Sequence, residues 1–108
     1  MPSIAGLLET ALYVEDLARS TAFYSGPLQL AVMLDTPRLV ALDAGSQGVL
    51  LLFRKGASGE DLPTQGGIVP GHHGEGRLHM AFAIAAEEYE PWRQHLGEQN
   101  IAIRSEVT

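Results

Sequence analysis

Apolar and polar residues alternate along Leu8–Val14, with Leu8, Thr10, Leu12 and Val14 in one set and Glu9, Ala11 and Tyr13 in the other. A period of two places the sets on opposite faces of a strand. The period then lengthens: Leu17, Thr21, Tyr24 and Leu28 recur as one face of a helix. Asp16 offers a side-chain oxygen to start that helix, and Gly26-Pro27 loosens its end. Ala31–Asp35 reads as a strand closed by Thr36-Pro37. Leu39–Asp43 and Gly48–Phe53 predict a hairpin turning through Ala44-Gly45-Ser46-Gln47, with Gly45 free to take positive φ. Val49–Phe53 is apolar at every position, so both of its faces should be covered. The order is β-α-β-β-β.

Residues 55–76 change character. They hold seven of the chain's twelve glycines, with Pro63 and Pro70 among them. Without periodicity, this stretch reads as a long linker or a loop covering a pocket, more mobile than the strands beside it. His72-His73 lies in it and reads as a pair of exposed loop residues, with contacts to a pocket as the lesser alternative. The opening pattern then returns. Leu78–Ile84 repeats the alternation of Leu8–Val14 seventy residues on, which sets His79 on Glu9. Tyr89, Trp92 and Leu96 mark a second helix, with Pro91 in its first turn and Gly97 at its end. Ile101–Val107 would be the next strand. The expectation is an α+β protein of paired βαβββ modules. Module one spans about 5–54, the loop 55–76 and a partial module two 77–108, all within one domain. Two strands are missing from the second module. They are expected further along the chain rather than from a partner, because a half-closed sheet leaves long unpaired edges.

Composition narrows the classes. A chain of 108 residues with 45% hydrophobic residues can build a core. No apolar run reaches the roughly 20 residues that cross a bilayer, and Met1–Glu9 lacks the basic start of a signal peptide. The absence of cysteine excludes disulfides and thiolate metal sites and fits a cytoplasmic protein. A net charge of −6 argues against a nucleic-acid surface. No Ser–His–Asp arrangement, P-loop or dinucleotide-binding glycine pattern occurs, so the sequence names no catalytic residue.

The stretch Glu9, Val14, Asp16, Leu17, Phe23, Tyr24 resembles the opening of the vicinal oxygen chelate superfamily, which holds glyoxalases, bleomycin-resistance proteins, fosfomycin-resistance enzymes and extradiol dioxygenases. The resemblance implies two modules whose sheets form an open barrel around a divalent metal, usually in a homodimer. It implies that Glu9 and His79 are metal ligands and that a third, a glutamate, would lie beyond Thr108. A further glyoxalase ligand would fall at about Leu51, which cannot bind a metal, so the four-ligand set of that branch is broken. Carboxylate and imidazole donors suit Mn, Fe, Ni or Zn ions, and an open-sided ion of this kind acts as a Lewis acid on adjacent substrate oxygens. The implied function is a lyase, isomerase, thiol transferase or dioxygenase acting on a small-molecule substrate. The alternative is a metal-free binding protein that sequesters a small, drug-like ligand, cationic ones included. Tyr13, Phe53, Met80 and Phe82 are candidates to line the pocket. Set against these readings, a single Glu on a strand usually faces solvent, a single His is usually structural, and aromatic residues usually pack a core. His95, on the second helix, reads as a surface residue.

Overall fold

A computed structural model describes residues 1–107. Their contacts separate into two compact units, Met1–Gly76 and a second that begins at Arg77.

The first unit is a βαβββ module. β1 (Glu9–Val14) leads to α1 (Leu17–Ser25), then β2 (Val32–Asp35), β3 (Leu39–Asp43) and β4 (Val49–Arg54). The helix starts where Asp16 Oδ1 accepts the Arg19 N–H at 3.0 Å. It stops at Gly26, where a Cβ would stand 2.6 Å from the Ala22 carbonyl oxygen. The sheet runs β1-β4-β3-β2. Because α1 carries the chain across the sheet, β1 returns parallel to β4, while β2, β3 and β4 form an antiparallel meander. The β3–β4 turn takes positive φ at Gly45 as expected, and also at Ser46 and Gln47.

α1 packs against β3 and β4. Beneath it Val40, Leu42, Leu50 and Leu52 are at most 1% exposed, and they form the core. Leu17, Thr21 and Tyr24 of α1 are half-buried, in keeping with the helical face they define. On the other face of β4, Phe53 is buried while Val49 and Leu51 are half-buried, so the expected double cover is partial there.

Residues 55–76 hold a feature the pattern did not announce. β5 (Leu62–Thr64) and β6 (Gly67–Val69) pair as a small exposed hairpin around Gln65-Gly66. Pro63 sits inside that short ladder, where an edge position tolerates its missing N–H.

In the second unit a single 3-10 turn, Ala86–Glu88, runs into α2 (Tyr89–Glu98). The helix runs one residue past Gly97, and the chain turns at Asn100 with φ 59. Neither Leu78–Ile84 nor Ile101–Val107 is a strand, contrary to expectation. A strand needs a neighbour to satisfy its backbone groups, and no ladder forms in this unit among the described residues. The α+β class holds, with the second module incomplete. Among the described residues no helix is long and apolar enough to cross a membrane.

Candidate functional site

Sheet register sorts the side chains of the first unit. Residues paired across strands share a face, and α1 occupies the face of Val40, Leu42, Leu50 and Leu52. Thr10, Leu12 and Val14 lie on that helix side. The opposite face carries three rows. The first is Glu9, Val49 and Asp43; the second Ala11, Leu51 and Ala41; the third Tyr13, Phe53 and Leu39. One end of this face is acidic, the middle is low and apolar, and the far end is aromatic. Glu9 and Tyr13 are four residues apart along the strand, or ~13 Å.

At the acidic end, Glu9 is exposed and opens β1. Asp43 accepts the Gly45 N–H at 2.9 Å and so serves the hairpin turn. β4 contributes only Val49, Leu51 and Phe53 to this face, none of them a metal ligand.

The aromatic end is closed by the segment Gly71-His72-His73-Gly74. Ser58, 1% exposed, anchors it twice. The His72 N–H donates to the Ser58 carbonyl at 2.7 Å, and Ser58 Oγ donates to the His72 carbonyl at 3.0 Å. The His72 imidazole meets the Tyr13 hydroxyl at 2.8 Å through Nδ1 and stands edge-on to Phe53, with centroids 4.4 Å apart. The Tyr13 and Phe53 rings stack at 6.0 Å, and His73 lies 6.0 Å from Tyr13 on another side. Both glycines are required by close approach. A Cβ on Gly71 would sit 2.5 Å from the Gly59 carbonyl oxygen, and one on Gly74 would sit 2.8 Å from the Tyr13 ring. Lys55 bridges Glu15 and Glu75, each at 3.7 Å, across the base of this segment.

His72 is therefore half-buried and held from several sides, while His73 is the exposed residue of the pair. Reading both as exposed loop residues is corrected here, and Ser58 was not singled out at all. The available signal was the symmetry of Gly-His-His-Gly, in which small residues flank side chains that must approach a surface closely.

His79 belongs to the second unit and is exposed, as is Phe82, while Met80 is half-buried. The repeat sets Met80 and Phe82 on Thr10 and Leu12, which in the first unit lie on the helix side. His95 is half-buried and packs edge-on to Trp92 at 5.5 Å. Among the described residues, no three of His, Cys, Asp or Glu come together to share an ion.

Two further hollows lie elsewhere. One, of about 770 Å³, opens between α1 and the β2–β3 turn on the helix side, lined by Leu17, Thr21, Ser25, Asp35 and Val40 among others. Burial raises the pKa of Tyr24 on that helix. The other, of about 310 Å³, lies in the second unit between α2 and the segment that follows it. There Glu106 accepts hydrogen bonds from the Tyr89 hydroxyl and from Arg93 Nε, and these two bonds hold its carboxylate below the usual range. The same bond to Glu106 raises the Tyr89 phenol.

Comparison with known proteins gives a consistent result. The family model described as Glyoxalase/Bleomycin resistance protein/Dioxygenase superfamily matches residues 6–108. The chain is similar to the crystal structure of lactoylglutathione lyase from Agrobacterium tumefaciens at 28% identity and TM-score 0.83, covering 96% of this chain and 77% of that one. An integron cassette protein from the mobile metagenome of a Halifax Harbour sewage outfall shares the fold at 23% identity and TM-score 0.71, over 96% of this chain and 78% of that one. The genomically encoded fosfomycin resistance protein FosX from Listeria monocytogenes shares it at 18% identity and TM-score 0.63, over 98% and 74%. No curated protein matches the sequence.

Proposed function

The chain belongs to the glyoxalase/bleomycin resistance protein/dioxygenase superfamily, and on that premise we propose a divalent-metal-dependent enzyme acting on a small oxygen-chelating substrate. The reaction class is that of a lyase, isomerase, thiol transferase or dioxygenase. The observation that carries the reading is the register of β1. It sets the Glu9 side chain on the face away from α1 that Tyr13 and Phe53 share, without a side-chain hydrogen bond or ion pair among the described residues. Glu9 and His79 would hold the ion, and their donor types fit Mn, Fe, Ni or Zn. When bound, the ion supplies Lewis-acid stabilisation of negative charge on substrate oxygen. Glu9 contributes the negative charge that favours a cation, and Tyr13 and Phe53 offer an apolar wall to the rest of the substrate. The family resemblance calls for a third carboxylate ligand, and none is assigned to it among the described residues. The likeness to a lactoylglutathione lyase favours the lyase class, while the apolar β4 face departs from the four-ligand set that the family resemblance implies for glyoxalases. Met80, half-buried, and Phe82, exposed, stay proposed as pocket-lining residues of the second module. Pairing of modules in a cytoplasmic homodimer completes the proposal.

Titration calorimetry with Mn²⁺, Ni²⁺ and Zn²⁺ tests it. The protein should bind one ion per chain. Glu9→Gln and His79→Ala should each weaken binding by at least about tenfold, since even indirect support of a metal site is worth that much. His95→Ala should leave binding unchanged. Absence of binding, or binding indifferent to His79→Ala, sinks the metal reading. The second reading, a metal-free protein that sequesters a drug-like ligand, then takes its place, favoured by the aromatic third row and by the net charge of −6.

A further inference from the structure

The aromatic end of the sheet face contains a ring that belongs to the protein itself. The His72 imidazole fills the space between the Tyr13 hydroxyl and the Phe53 ring, meeting one by a hydrogen bond of 2.8 Å and the other at a near-perpendicular angle with centroids 4.4 Å apart. Its backbone does not depend on those contacts, because Ser58 holds both the N–H and the carbonyl of His72 from a buried position. The imidazole can therefore leave by rotating about its own side-chain bonds while the main chain stays pinned. Gly74 remains flat against the Tyr13 ring and keeps that ring in place. What rotation uncovers is a slot with a phenol hydroxyl at one end, the Phe53 ring at the side and Gly74 as one wall.

We propose that this slot is a binding subsite for a planar heteroaromatic ring bearing a hydrogen-bonding nitrogen, and that His72 occupies it as a built-in plug which such a ring displaces. The geometry of His72 defines the ligand chemistry. A ring of imidazole size fits, its nitrogen faces the Tyr13 hydroxyl, and its plane stands edge-on to Phe53. A purely aliphatic group would leave the Tyr13 hydroxyl unpaired, which is where selectivity arises. The position is instructive as well. The slot lies ~13 Å along β1 from Glu9, so a molecule with its ring at Tyr13 extends over the low Ala11–Leu51–Ala41 row toward the acidic end. Displacement is mild. One neutral hydrogen bond and one edge-to-face ring contact together hold the plug by on the order of tenfold in occupancy, and an incoming ring restores both.

The inference needs no metal and stands on residues of the first unit alone, so it can fail or hold apart from the proposed function. The probe is benzimidazole, followed by protein NMR in metal-free buffer. In the unsubstituted protein, shifts should concentrate at Tyr13, Phe53 and residues 71–74. His72→Ala, which removes the plug, should bind about tenfold more tightly. Adding Tyr13→Phe to His72→Ala should lower that affinity by about fivefold, because the hydroxyl is lost. His95→Ala, in the second unit, should bind as the unsubstituted protein does. The proposal is overturned if His72→Ala binds benzimidazole no better than the unsubstituted protein, or if the shifts fall in the hollow beside α1. Should His72→Ala not fold, indene decides with the unsubstituted protein: it lacks the nitrogen that would face the Tyr13 hydroxyl, so its shifts at residues 71–74 must be weaker than those of benzimidazole, and equal strength overturns the proposal.

Discussion

Leu8–Val14 and Leu78–Ile84 carry the same alternation, and they meet different fates. Glu9–Val14 pairs residue for residue with Val49–Arg54, whereas the second segment forms no ladder among the described residues. The residues at the two sites are closely matched in polarity. The difference lies in what each unit offers as a neighbour: the first has a complete βαβββ set, and the second has a helix flanked by two stretches that form neither helix nor strand. Alternation decides which side chains share a face. It does not supply the partner strand that makes a face exist. The two units are therefore held by different physics. A dry aliphatic core holds one, and a cluster of polar contacts on a helix surface serves the other.

The strongest test of that difference is to delete a side chain from each unit. Leu52 is fully buried, and Leu52→Ala should cost about 2–5 kcal/mol in chemical denaturation. Phe82 is 41% exposed although it is the larger residue, and Phe82→Ala should cost about 1 kcal/mol or less. Equal costs would mean that the second unit has a core of its own comparable to the first. A subtler measure is hydrogen exchange. Amides of Glu9–Val14 should exchange at least about a hundredfold more slowly than those of 78–84, because only the former sit in a ladder beside a buried core. Comparable protection in the two segments would break the comparison.

Much of the first unit was legible because its signals are local. The cap at Asp16, the change of period at Leu17 and the hairpin around Gly45 each act within a few residues. What escaped reading depends on distant contacts. Tyr13 and His72 are 59 positions apart, and no periodicity links them. The glycines of 55–76 suggested looseness, yet Gly71 and Gly74 are glycine because backbone and ring approach too closely for a Cβ. The same composition thus encodes mobility in one place and tight packing in another. Of the candidate site, alternation was enough to put Glu9 and Tyr13 on one face. It could not reveal that a buried Ser58 would bring His72 onto that face.

The smallest expected effect concerns the polar cluster of the second unit. Tyr89 and Arg93 are one helical turn apart, and both donate to the Glu106 carboxylate. The folded carboxyl therefore titrates below its ordinary value, first because of the Tyr89 bond and then because of Arg93. Unfolded, it returns to about 4.3. A depressed pKa adds stability that is present above that unfolded value and disappears as pH falls through the lower folded one. The Tyr89 phenol has the opposite sign. Its raised pKa adds stability that is present below about pH 10, the unfolded value, and is lost above it. Both groups lie at the surface, so the effect is small and screened by salt. Exchange rates of the α2 amides should rise as pH falls from 5 to 3, after correction for intrinsic exchange, while those of β3 and β4 should stay flat. Glu106→Gln removes the carboxylate and should abolish the acid limb in α2 alone. If the limb survives in Glu106→Gln, or appears equally in β3 and β4, the charged cluster is not what steadies the second unit, and the contrast with the aliphatic core of the first must be given up.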